Sequence, residues 1–255
     1  MILSMDARAA REKNRRQAKD GWNTLYMGVN RYHRKETDPT PDPMAIYPVA
    51  FLVEKDPGAV IHPHYHAAEQ FQVVVGGTCI FGTHEVDGVA VHYTGPYSSY
   101  GPITAKENGL AFFTLRNGYD AGAQYMPKER LGLREGRKNW EHREVTAEVP
   151  GVMREAELAG LPAIRTDDVL ARAQDGVGAW RHRLPPGASL TGPDPATGGG
   201  QYWLVLSGSL KVTEPEPLAA KSCVFLSPDE AAATVVAGPL GAEVLCMQFP
   251  VRVRH

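Results

Sequence analysis

Residues 57–77 read Pro57-Gly-Ala-Val-Ile-His62-Pro-His64-Tyr-His66-Ala-Ala-Glu69-Gln70-Phe-Gln-Val-Val-Val-Gly76-Gly77, and this stretch decides the fold. In an extended chain successive side chains point to opposite faces, so His62, His64 and His66 project from one face with neighbours roughly 7 Å apart. Two imidazoles so placed can lean toward one ion at about 2.0–2.2 Å each. The β-branched run after them, closed by glycines, reads as a strand that ends in a turn.

Outward from this stretch, short apolar runs recur at 49–53, 71–75, 79–81, 89–93 and 110–115, with Gly, Pro, Asn and Asp between them. Their spacing predicts an antiparallel sandwich or barrel. Similar runs return at 178–184, 202–206, 223–226, 234–236 and 243–249. The two halves also share landmarks. Six residues separate Gln70 from Gly77 and Gln201 from Gly208, while Pro57-Gly58 and Pro186-Gly187 precede them. Pro96 stands thirteen residues before Gly109, and Pro228 thirteen before Gly241. Such a repeat points to two copies of one β unit.

The remaining segments differ in character. Residues 4–19 are rich in Ala, Arg, Lys and Glu, with Ser4 or Asp6 as N-cap and Gly21 as stop, and predict a basic, solvated helix; a nucleic-acid arm is the functional alternative. Residues 37–43, with three prolines, read as a stiff linker. The charged stretch from 126 to 175, helix-compatible around 152–157 and 167–174, reads as a connection.

Composition narrows the function classes. Over 255 residues, 27 basic and 29 acidic side chains nearly cancel, so no general attraction to nucleic acid or to an anionic membrane is expected. No apolar stretch approaches the roughly 18 residues that span a bilayer, and Asp6 and Arg8 interrupt any signal-peptide core. Cys79, Cys223 and Cys246 are odd in number and scattered, which argues against a disulfide framework and for a reducing cytoplasm. Phosphate-loop, Gly-x-Ser-x-Gly, Cys-x-x-Cys and helix-turn-helix patterns are absent from the sequence.

The spacing Gly58, His64, His66, Gln70, Gly77 resembles the first motif of the cupin superfamily, with Gln where that family usually has Glu. The resemblance covers about 45–125 and 176–250. It implies an all-β bicupin: an N-terminal helix and linker at 1–44, a first double-stranded β-helix or jelly-roll barrel at 45–125, a partly helical connection at 126–175, and a second barrel at 176–255. It further implies one divalent metal ion, Zn, Ni, Mn or Fe, held by His64, His66 and Gln70. The implied function is a metal-dependent enzyme acting on a small polar organic molecule, with dioxygenase, isomerase and lyase chemistry all open. The alternative is a non-catalytic cupin that binds a small molecule or serves an assembly. The partners expected on the same reading are a small-molecule ligand, neither nucleic acid nor membrane, and a second copy of the chain in a homodimer.

The sequence also departs from that family. Alignment on Pro96 places Gly101 where the family's last histidine ligand stands, and Gly187 is followed by no His-x-His, so the second barrel is expected to be metal-free. His62 reads as a surface residue beside Pro63, a third ligand, or a donor behind a ligand. Glu69 becomes a ligand only in a register shifted by one, or else orients a histidine. His92 is either hydrogen-bonded within its strand or projects inward to replace the missing imidazole. Tyr93, Tyr97 and Tyr100 crowd the Pro96 turn, and His92 and Tyr100 are the candidate proton carriers. Arg116 either faces inward, where it would grip a carboxylate, or lies in solvent at a strand end.

Overall fold

The computed structural model describes residues 1–29, 41, 42, 44–213 and 216–252. Apart from residues 41 and 42, the expected linker at 37–43 lies outside the described residues. The chain is mostly β and divides into two compact units, one of Met1–Lys13 with Pro150–Val253, the other of Asn14–Val149.

In the Asn14–Val149 unit, the β-branched Gln70–Phe81 strand lies in the middle of an antiparallel sheet, between Val89–Thr94 and Ile103–Arg116. The sheet continues to Glu144–Val149 at one edge and through Val49–Lys55, Gly21–Met27 and Arg15–Ala18 at the other. Gln124–Tyr125 pairs separately with His64–Tyr65. Phe71, Val73, Val91 and Phe113 are buried on one face and Val74, Ala90 and Phe112 on the other. Burial on both sides explains why residues 71–75 read as nearly continuous apolar sequence. Farther along the second face the side chains turn polar, with Gln70, Gln72, His92, Thr114 and Arg116 all buried.

The other unit repeats this plan. Gln201–Lys211 lies between Cys223–Leu226 and Thr234–Gln248, followed by Gly178–Leu184 and Arg165–Leu170. The repeated glycines have a structural reason. Gly77 has φ +77°, and a Cβ there would stand 2.1 Å from the Gly109 carbonyl oxygen; Gly208 has φ +68°, with 2.2 Å to the Gly241 carbonyl oxygen. Only glycine permits both the left-handed backbone and the close crossing. The interiors differ: two residues beyond Gln201 comes Trp203, which packs with Leu184, Val205, Val244 and Cys246 in an apolar core, whereas Gln72 follows Gln70. In each unit strand pairing runs from edge to edge and does not close on itself.

Three local expectations need correction. The helix expected at 4–19 occupies only Ala7–Asn14, between strands Ile2–Met5 and Arg15–Ala18. Asp6 is its cap, accepting from the Arg8 and Ala9 amides at 3.0 Å. Strand pairing overrides helix propensity on both sides, because Ile2–Met5 pairs with Cys223–Leu226 and Arg15–Ala18 with Gly21–Met27. Residues 167–174 form no helix; Arg165–Leu170 is a strand paired with Gly178–Leu184. The stretch 126–175, expected to be a connection, thus contributes strands Glu144–Val149 and Arg165–Leu170 as well as helices Arg130–Gly136 and Glu155–Ala159. Alternating charged residues on an edge strand resemble a solvated helix, since neither gives an apolar stripe.

Candidate functional site

His64 is fixed through its backbone, which exchanges hydrogen bonds with Tyr100 at 3.1 and 3.0 Å, while the His66 carbonyl accepts from the Tyr97 amide at 2.7 Å. The alternation of the extended chain then brings the two imidazoles together, edge to face with centroids 5.1 Å apart. His64 Nδ1 lies 2.8 Å from the His62 carbonyl oxygen. A carbonyl only accepts, so Nδ1 carries the proton and Nε2 keeps its lone pair. Burial, with His66 adding to it, pushes the His64 pKa down to about 4, so the ring is neutral near pH 7.

His66 is oriented by Asp120, whose Oδ2 lies 2.8 Å from its Nδ1. Burial by itself would raise the Asp120 carboxyl; Arg116 and His66 reverse this and hold it well below the usual carboxylate range. Asp120 Oδ2 also accepts from the Gly122 amide at 2.9 Å. Of the two readings of Arg116, the inward one holds: the residue is 6% exposed. Its Nε and Nη2 donate to Gln70 Oε1 at 3.1 and 2.7 Å, and Nη2 stands 3.2 and 3.4 Å from the two His66 nitrogens. Gln70 Nε2 in turn donates to the Tyr100 hydroxyl.

A cavity of about 790 Å³ opens onto His64, His66, Gln72, Thr114, Arg116 and Asp120. His62 is exposed at its rim, where its carbonyl rather than its ring serves the site. Gln70, Tyr100 and His92 lie behind the lining layer, at 0%, 4% and 1% exposure. Burial pushes the Tyr100 phenol well above its ordinary value, so it remains protonated at neutral pH. His92 sits 4.2 Å from the Phe81 ring and 5.2 Å from Tyr100, with Nδ1 2.7 Å from Thr146 Oγ1. Its Nε2 is buried and has no hydrogen-bond partner among the described residues. Among those residues, no three His, Cys, Asp or Glu side chains form a metal-holding group.

Sequence reasoning missed Asp120 and Gln72. Gln72 was within reach, because alternation puts it on the same face as Gln70. Asp120 lies in the loop after the Ile103–Arg116 strand, and only the fold brings it back to His66.

No protein-family model matches the sequence, and no curated protein matches it. Solved structures do resemble it. Bacterial pirin YhhW from Escherichia coli, in complex with nickel(II), is 12% identical, with a TM-score of 0.61 over 99% of this chain and 100% of that one. Oxalate decarboxylase from Bacillus subtilis, which has Mn(II) centres, is 13% identical, with a TM-score of 0.55 over 100% of this chain and 78% of that one. Both are cupin-fold proteins, and at these identities the likeness carries the fold alone: the chain has a cupin fold. No helix among the described residues is long and apolar enough to cross a membrane.

Proposed function

We propose that the chain is a bicupin enzyme that uses one divalent metal ion to act on a small polar organic molecule in the cavity of its Asn14–Val149 unit. The observation that carries this reading is the pair of buried imidazoles at the polar end of that cavity, each with Nδ1 anchored, His64 to the His62 carbonyl and His66 to Asp120. Anchoring of this kind leaves Nε2 as the donor and sets the ring's orientation. The nickel and Mn(II) of the two similar structures support the choice of a divalent ion.

His64 and His66 offer such an ion two imidazoles, with Arg116 Nη2 3.4 Å from His66 Nε2, and no third His, Cys, Asp or Glu joins them among the described residues. Gln70 is a less ready third ligand, since its oxygen already accepts two bonds from Arg116. A bound ion of this class supplies Lewis-acid polarisation of a substrate oxygen or a more acidic water. The chain's own residues do the rest. Asp120 keeps the proton on His66 Nδ1, Arg116 brings a fixed positive charge to the polar end, and Tyr100 holds the Gln70 carboxamide. His92 and Tyr100 act here by position, because they do not reach the cavity. The Trp203-filled interior of the other unit supports a structural role for it, and three buried free cysteines suit a reducing cytoplasm.

One observation favours a second reading, a non-catalytic cupin that binds a small molecule. The Arg116 guanidinium engages both Gln70 and His66, two of the three expected ligands. Elemental analysis of tag-free protein separates the two. Near-stoichiometric metal, lost in both His64→Ala and His66→Ala, is expected; sparse metal unchanged in both variants would leave the binding reading.

A further inference from the structure

The cavity has three zones of different chemistry. At its polar end stands Gln72, 4% exposed, whose Oε1 has no hydrogen-bond partner among the described residues. A buried carboxamide oxygen left unpaired in this way carries a desolvation cost that a hydrogen-bond donor on a ligand would offset. The middle is apolar, walled by Leu25, Phe51, Val53, Val60, Ile61 and Phe112. At the far end of the same strands from Arg116, where Lys55 pairs with Leu110 and Gly21, the cavity has a second opening, the mouth, which carries the cations Arg16, Lys19 and Lys55 against the carboxylate of Asp20. Arg16 and Lys19 are exposed, whereas Lys55 is half-buried and donates to the Lys19 carbonyl at 2.6 Å. The fourth cation of the wall, Arg116, is already matched by the Asp120 carboxylate at 3.4 Å. Excess positive charge therefore belongs to the mouth.

From this order of zones we propose that the cavity binds an elongated organic anion with an apolar body, its acid group at the Arg16–Lys19–Lys55 mouth and a hydroxyl at the far end against Gln72. The proposal rests on the reading of that cavity as the substrate site, and replaces the small polar molecule of that reading with one that carries an apolar body between two polar ends. It accounts for all three zones together. A small polar acid would leave the apolar middle uncovered, and an uncharged apolar ligand would leave both the mouth and Gln72 unanswered.

Calorimetric titration with three probes tests it: 4′-hydroxybiphenyl-4-carboxylate, its methyl ester, and biphenyl-4-carboxylate. The acid should bind about tenfold tighter than the ester at low salt, an advantage that shrinks as salt is raised and is lost in the Arg16→Gln/Lys19→Gln double variant. The hydroxyl should add about three- to tenfold over biphenyl-4-carboxylate, and Gln72→Leu should erase that gain while still binding biphenyl-4-carboxylate, which shows the variant to be folded. Equal affinities for acid and ester, a hydroxyl gain that survives in Gln72→Leu, or no binding of any probe would overturn the proposal. The titrations are run on protein with its metal removed and on metal-loaded protein. If the pattern persists without metal in a protein that never holds it, the ligand class stands and the metal reading falls. If metal binds stoichiometrically and the pattern is missing, the ligand class falls by itself.

Discussion

Arg116 donates to the Gln70 carboxamide oxygen through two different nitrogens, Nε at 3.1 Å and Nη2 at 2.7 Å, and thereby ties the end of one strand to the start of its neighbour inside the sheet. Only a planar guanidinium presents donors in that fork, so a lysine cannot substitute for it. The same group neutralises Asp120, which is 7% exposed.

Arg116→Met is therefore expected to lose about 3–5 kcal/mol of stability, since it leaves a buried carboxylate without its cation. Urea unfolding measures the loss. Arg116→Met/Asp120→Asn should recover part of it, because the double variant no longer buries an unpaired charge; a single variant as stable as wild type would contradict the assignment.

Asp120→Asn replaces the charged acceptor that orients His66 with a neutral carboxamide of nearly the same size. Affinity for a divalent ion should fall about 10–100-fold, the usual effect of losing such an orienting partner. Titration with Mn(II), followed by electron paramagnetic resonance, reads the change. Unaltered affinity would mean that Asp120 serves Arg116 alone.

The pH dependence of metal-free protein has a definite sign. His64 titrates at about 4 when folded against 6.5 unfolded, so between those values the unfolded chain holds more protons and stability rises with pH. His92, pushed down to about 3 by burial and then by His64, acts in the same direction. Acidification from pH 6.5 to 4 should cost on the order of 3 kcal/mol through His64 alone. Below that window Asp120 adds a further loss, because its depressed carboxyl stabilises the fold until it is protonated. His64→Gln should flatten the slope between pH 4 and 6.5, and an unchanged slope would assign it to other groups.

Gly77→Ala and Gly58→Ala make a matched pair, since both sites have positive φ, +77° and +78°. Alanine at Gly58 meets nothing within 4 Å and should cost about 1–2 kcal/mol, from backbone strain alone. At Gly77 it also collides with the Gly109 carbonyl, so its melting temperature should fall well below that of Gly58→Ala. Equal melting temperatures would show that the strand crossing yields easily.

How much of this was legible in the sequence depends on the range of the interaction. The strands around Gln70 and Gln201 and the paired glycines were legible because period-two alternation and left-handed turns are local. The nearness of His64 and His66 was legible for the same reason. The N-terminal Ile2–Met5 strand was not, because its partner lies more than 200 residues away at Cys223–Leu226. Arg116 had two readings until the sheet register placed it beside Gln70. His92 and Tyr100 were expected near the site and are near it, but depth within the interior, which decides whether they meet a ligand, is set by the packing of several strands at once.

The place of Ile2–Met5 has a consequence for biosynthesis. These residues are made well before Cys223–Leu226, and their strand is completed only when that partner has been made. All of Asn14–Val149 emerges in between and can fold as a unit on the growing chain. The cavity-bearing unit is thus complete while the nascent N-terminal segment still waits for its partner. A chaperone, or an N-terminal fusion, that occupied that segment during translation would delay one half of the protein and leave the other to form on schedule.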